Sequence, residues 1–216
     1  MARLARDRVE LQKKTPVARE QDYTRVQTKR AVFLAQQKTL EGGRLIFVDE
    51  SGFRLGSPPR YGWAPIGEKA LGKTVCGSWE TITMLGAIGL DGFRGFLTID
   101  MPTTAELFLA FVVHQLVPNL RPGDIVVMDN LAAHKHPAVL AAIAAAHADV
   151  LFLPPYSPEF NPIEKAWGKL KDILRRLPTL CRETFDRAVA AAMDAITTDD
   201  IRAWTIHAGY DLASTG

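Results

Sequence analysis

The stretch Ile125-Val126-Val127-Met128-Asp129-Asn130 constrains the fold of this chain more than any other. Four consecutive apolar residues between Asp124 and Asp129 read as a strand buried on both faces. Such a strand gains no stability from ending in a carboxylate, because an unpaired charge at the rim of a core is costly. Something must compensate the charge of Asp129, and a metal ion is one candidate. Arg44-Leu45-Ile46-Phe47-Val48-Asp49 repeats the pattern of an apolar run closed by Asp. Further on, Pro154-Pro155-Tyr156-Ser157-Pro158-Glu159-Phe160-Asn161-Pro162-Ile163-Glu164 delivers an acid to a helix start. The rest of the chain reads as the scaffold that brings Asp49, Asp129 and Glu164 together.

The scaffold has the means to do so. Of 216 residues, 47% are hydrophobic, enough for a sizeable core. That length is one large domain, or one domain with an appendage. Charge divides the chain. Residues 1–40 carry ten Lys/Arg against four Asp/Glu, a net +6, which leaves −4 for the remainder of a chain whose formal charge is +2. We therefore expect a basic linker or arm over 1–40 and a catalytic domain over 41–210. A basic arm beside an acidic body suits a polyanionic partner and a carboxylate site, although a merely solvated leader has the same composition. The two cysteines, Cys76 and Cys181, have no CxxC spacing, which argues for a reducing compartment and against a thiolate zinc site. No signal-peptide pattern or bilayer-length apolar run is present, so a cytoplasmic, nucleoid-associated location is expected and no membrane partner.

In chain order, Val26 to Leu40 suits a helix with Val32, Phe33 and Leu40 on one side. The first strand spans 44–49, and Asp49-Glu50-Ser51-Gly52-Phe53 is expected to break it, with Gly52 in a turn. Asp49 and Glu50 would face opposite sides, so only Asp49, which ends the run, serves a site. In the loop over 56–73, Trp63 lies between Arg60 and Lys69. It can stack on nucleic acid or cover the edge of the core. Residues 80–89 and 93–99 form a hairpin around Asp91-Gly92. Thr103 and Glu106 have the spacing of a capping box for the helix that follows. Helix 137–147, strand 149–153 and helices over 162–176, 182–196 and 199–208 complete the chain. This is an α/β pattern, a mixed sheet flanked by helices, in the order expected of a ribonuclease H-like fold.

Hard cations such as Mg²⁺ take oxygen ligands, and a pair of them can serve both the attacking and the leaving oxygen of a phosphoryl displacement. Strand-end carboxylates on neighbouring strands about 4.8 Å apart can share an ion, with a helix Glu entering from the side. Taken singly, each acid has an ordinary reading: Asp49 or Asp129 as a turn or cap, Glu164 as a first-turn helix acid. His134 and His136 lack a thiol or carboxylate partner at ligand spacing, which argues against zinc; His134 and Lys135 better suit a phosphate. Lys165 and Lys169, with Lys171, Arg175 and Arg176, either grip a DNA backbone or form a solvated face.

The ordered set Val48-Asp49-Glu50-Ser51-Gly52-Phe53, Tyr61-Gly62-Trp63-Ala64, Met128-Asp129-Asn130 with His134-Lys135, and the proline-rich block up to Glu164 resembles the DDE-type transposases of bacterial insertion sequences related to mariner elements. The resemblance covers about 44–180, with thirty-four residues between Asp129 and Glu164. It implies a ribonuclease H-like core with Asp49, Asp129 and Glu164 as a triad for Mg²⁺ or Mn²⁺, two ions being expected. It also implies cleavage of double-stranded DNA at element ends, strand transfer by the freed 3′-hydroxyl, insertion at TA and a homodimer or larger synaptic complex. Such transposases usually carry N-terminal helix-turn-helix readers, of which the first forty residues show no complete pattern. Two alternatives follow: a DNA-binding or inhibitory derivative without its reader, and another ribonuclease H-like nuclease such as a junction resolvase.

Overall fold

A computed structural model of the chain describes residues 19–57, 63–69, 71, 80–177 and 181–212. Five strands, β1 (Leu45–Arg54), β2 (Thr81–Gly89), β3 (Gly92–Ile99), β4 (Ile125–Met128) and β5 (Asp149–Phe152), form one sheet in the order β3-β2-β1-β4-β5. The β1–β2 and β2–β3 pairs are antiparallel, and β1–β4 and β4–β5 are parallel. The helices are α1 (Thr24–Gln37), α2 (Ala105–Phe111), α3 (Pro137–Ala145), α4 (Ile163–Leu174), α5 (Arg182–Asp194) and α6 (Thr198–His207). This is the mixed, helix-flanked sheet that the element order implies.

Side-chain alternation along the central strands builds two cores. Phe47 and Val127 face a layer containing Trp167 and Leu170 of α4 and Phe185 of α5. Ile46, Val48, Val126 and Met128 face the other layer, against Phe108 and Phe111 of α2 and Val139 and Ile143 of α3. A strand covered on both sides has no polar face, which is why β4 is apolar throughout.

Three expectations need correction. β1 does not break at Asp49. It runs on to Arg54, its residues 49–54 paired with β2 from Gly86 to Thr81, and Gly52 sits within that ladder. The apolar run ends where the parallel neighbour ends, since β4 pairs only with residues 45–47, while the antiparallel neighbour carries the strand further. Next, Thr104 caps α2, its side chain accepting from the Leu107 amide, whereas the buried Thr103 hydroxyl has no partner. Finally, α1 buries Val26, Phe33 and Gln37 and leaves Val32 64% exposed, so its inward face is rotated from the expected one. The Asp91-Gly92 hairpin is as expected: Gly92 takes φ 127°, and the Asp91 carboxylate accepts from Arg94 at 2.8 and 2.6 Å.

Candidate active site at the end of the parallel strands

The β1–β4 register pairs Leu45 with Ile125 and Phe47 with Val127. Continued two residues past the ladder, it sets Asp49 level with Asp129, with Asp49 on the face that α4 covers. α4 crosses that face with Trp167, 2% exposed, whose Nε1 donates to Asp49 Oδ2 at 3.1 Å. Gly86, opposite Asp49 on β2, makes room for this indole: a Cβ there would lie 2.6 Å from Trp167 Cη2.

Asp129 follows β4 directly. Its Oδ1 accepts from the Leu131 amide at 3.0 Å and lies 2.6 Å from His134 Nδ1. His134 is 1% exposed and its ring lies 4.1 Å from that of Phe108. The imidazole meets the carboxylate closely, though without ideal hydrogen-bond alignment. Burial pushes the Asp129 carboxyl up. The bond from His134, the Leu131 amide and the charges of His134 and Lys135 outweigh it and hold the group below its usual range. The neighbouring Asn130 fixes the strand end by donating from Nδ2 to the Leu153 carbonyl.

Glu164 arrives through the proline-rich block. Pro158–Phe160 makes a single 3₁₀ turn, and Asn161, 5% exposed, donates from Nδ2 to the carbonyl of Val48, the residue before Asp49, at 3.3 Å. The Glu164 amide donates to the Asn161 carbonyl at 3.1 Å, placing the acid in the first turn of α4. A cavity of about 330 Å³ opens beside Glu164, with Lys165, Trp204 and His207 among its walls.

Asp49 and Glu164 are both raised, in part by neighbouring acids. Asp49 is pushed up to about 7 by burial and by the charges of Glu164 and Asp129, against the pull of the Glu50 amide and Trp167. Glu164 is raised by burial and by Asp129, with Lys171 opposing. Lys171 itself donates to Ser51 Oγ at 2.6 Å. Among the described residues, no group of three or more His, Cys, Asp or Glu side chains is drawn together closely enough to hold a metal ion. The donor chemistry nevertheless fits a hard cation: the oxygens are all carboxylate, and a divalent charge would offset both the cost of burying the Asp49 charge and its repulsion from Glu164 and Asp129.

The expected DNA contacts fare differently. Arg60 lies outside the described residues. Trp63 is 102% exposed, so it does not cover the edge of the core. His134 is enclosed behind Asp129 and cannot reach a phosphate; a buried imidazole beside an acid is a brace. Lys135 is exposed, its ammonium 5.5 Å from the centre of the Phe152 ring. Lys165 is exposed at the cavity rim. Lys169 is engaged by Asp200 of α6 at 2.5 Å. Sequence reasoning missed Trp167 and Asn161. Trp167 lies three residues past Glu164 on the same helix face, but its bond to Asp49 is not marked in the sequence; Asn161 precedes α4, so no helical spacing points to it.

Comparison with known proteins agrees with this arrangement. The chain is similar in structure to the Mos1 strand transfer complex (15% identity, TM-score 0.73, 95% of this chain and 66% of that one). It is similar as well to the Mos1 mariner paired end complex with Mn (15% identity, TM-score 0.73, 95% and 67%). A third likeness is to the catalytic domain of Mos1 mariner transposase (14% identity, TM-score 0.65, 93% and 96%). At these identities the likeness establishes the fold, which is ribonuclease H-like, and the chain spans about two thirds of the length of the first of these structures. No curated protein matches the chain. The family model described as DDE superfamily endonuclease matches residues 44–186, from the residue before β1 into α5 and including all three acids, and the chain belongs to that family.

Proposed function

We propose that this chain is the catalytic part of a DDE-type transposase, cutting double-stranded DNA at the ends of a mobile element and joining them to a target. The observation that supports the reading is that Asp49 lies on β1, Asp129 just past the end of the parallel neighbour β4 and Glu164 in the first turn of α4, whose start Asn161 ties to the Val48 carbonyl of β1. These three would hold Mg²⁺ or Mn²⁺, two ions in number. Bound ions would supply Lewis-acid stabilisation of the attacking and leaving oxygens. Trp167 orients the Asp49 carboxylate, and His134 fixes that of Asp129. In the first reaction a water oxygen attacks phosphorus at the element end, the P–O3′ bond breaks and a 3′-hydroxyl is freed. In the second, that hydroxyl attacks a phosphodiester of the target and expels its 3′ oxygen, with TA the favoured site because that step is easily unstacked.

The solved relatives are a strand transfer complex and paired end complexes of Mos1, which supports DNA as substrate and a homodimer or larger synaptic assembly as the working form. Trp63, Lys135 and Lys165 are the exposed groups we assign to DNA, together with Arg60. The basic segment 1–40 serves as an arm and 41–210 as the catalytic domain. No helix among the described residues is long and apolar enough to cross a membrane, and we place the protein in the cytoplasm at the nucleoid. The test is strand transfer from a pre-cleaved terminal-repeat oligonucleotide into a plasmid with Mn²⁺. Joined product is expected from the native chain and none from a cleanly folded Asp129→Asn; retained joining by that variant would overturn the triad.

A further inference from the structure

The family match begins at residue 44, yet the loop that delivers Glu164 is gripped by α1, which precedes it. Arg30 of α1 donates from Nη1 to Ser157 Oγ at 2.6 Å and from Nη2 to Glu159 Oε1 at 2.5 Å. Its guanidinium lies 5.0 Å from the centre of the Phe160 ring, and Phe33, one turn further along α1, stacks on the same ring at 5.2 Å. Gln21 Nε2 donates to the Tyr156 carbonyl at 2.5 Å, and Tyr156 holds φ 56°, a left-handed conformation that a tyrosine keeps only where its surroundings impose it. The loop is anchored from within as well, because Tyr210 donates to the Phe160 carbonyl at 2.8 Å and Asn161 to Val48. Glu164 begins its helix from that doubly held segment.

We propose that Arg30 is a positioning residue for Glu164, setting the acid's approach to Asp49 and Asp129 through Ser157, Glu159 and Phe160. The inference rests on the metal-site reading above. The planar fork of Arg30 meets two side chains and a ring at once, a geometry that a lysine cannot reproduce. The Arg30–Glu159 pair is partly exposed, at 22% and 45%, so it adds little to global stability. A positioning role therefore separates from a structural one: metal affinity falls while the denaturation midpoint barely moves.

The test is calorimetric titration of the purified full chain with Mn²⁺, with amide exchange followed over 156–164. Arg30→Ala should weaken Mn²⁺ binding about 10-fold or more, the usual effect of losing a group that orients a ligand. Amide exchange at Glu164 should quicken, and Arg30→Lys should recover only part of the affinity. Ile143→Val trims a fully buried side chain of α3 in the core on the other face of the sheet and serves as the control. It should lower stability and leave Mn²⁺ affinity intact. Native affinity in Arg30→Ala, or an equal loss in Ile143→Val, overturns the positioning role alone. A native chain whose Mn²⁺ binding is absent, or is unchanged by Glu164→Gln, overturns the metal-site reading and this inference with it.

Discussion

Replacing Asp49 by Asn should stabilise the metal-free protein at neutral pH. Asp49 is raised from 3.8 to about 7, burial first and then the charges of Glu164 and Asp129. The native state thus holds a proton that the unfolded chain has already released. Stability linked to this group is fully present below 3.8, declines as pH rises towards 7 and is level above that. At about 1.4 kcal/mol per unit, the loss across the window is on the order of 4 kcal/mol. Asn resembles the protonated acid, can present its oxygen to Trp167 Nε1 and carries no charge. Urea denaturation in EDTA at pH 4.5, 6 and 8 should show the native protein losing stability relative to Asp49→Asn, with the gap widening up to pH 7. Saturating Mn²⁺ at pH 8 should narrow the gap by stabilising the native protein. Parallel pH profiles for the two proteins would mean that Asp49 carries its charge without cost, against this expectation.

Two other outcomes follow from the same geometry. Gly86→Ala puts a Cβ 2.6 Å from a rigid, buried indole, so the variant should lose about 1–3 kcal/mol in denaturant titration and, with Trp167 displaced, bind Mn²⁺ more weakly. Lys165→Ala should weaken binding to duplexes of any sequence and reduce the salt slope by about one ion, read by fluorescence anisotropy over a range of salt, whereas Lys169→Ala should change it less because Asp200 already engages that ammonium.

The sheet was legible in the sequence where burial is two-sided. β4 announces itself as an apolar run because helices cover both its faces, β5 does so although it lies at the sheet edge and none of its residues is fully buried, and the hairpin turn is set by Asp91-Gly92. The second half of β1 was not legible, because its pairing comes from β2 alone and its polar residues read as a loop. The acids were visible by their place after apolar runs. The supports were not, because they depend on contacts across the fold: Trp167 reaches Asp49 from another element, Gly86 matters only through the indole above it, and Arg30 meets residues 127 and 129 positions away. His134 was visible as a histidine near Asp129, but polarity suggested a surface role. Only the packing of its ring against Phe108 reveals the buried one.

Whether three acids from separate elements form one metal site is read by Mn²⁺ calorimetry on the native chain and on Asp49→Asn, Asp129→Asn and Glu164→Gln. Saturable binding by the native protein, weakened in every one of the three folded variants, is the predicted result. Native affinity in any one of them would contradict it and remove that acid from the site.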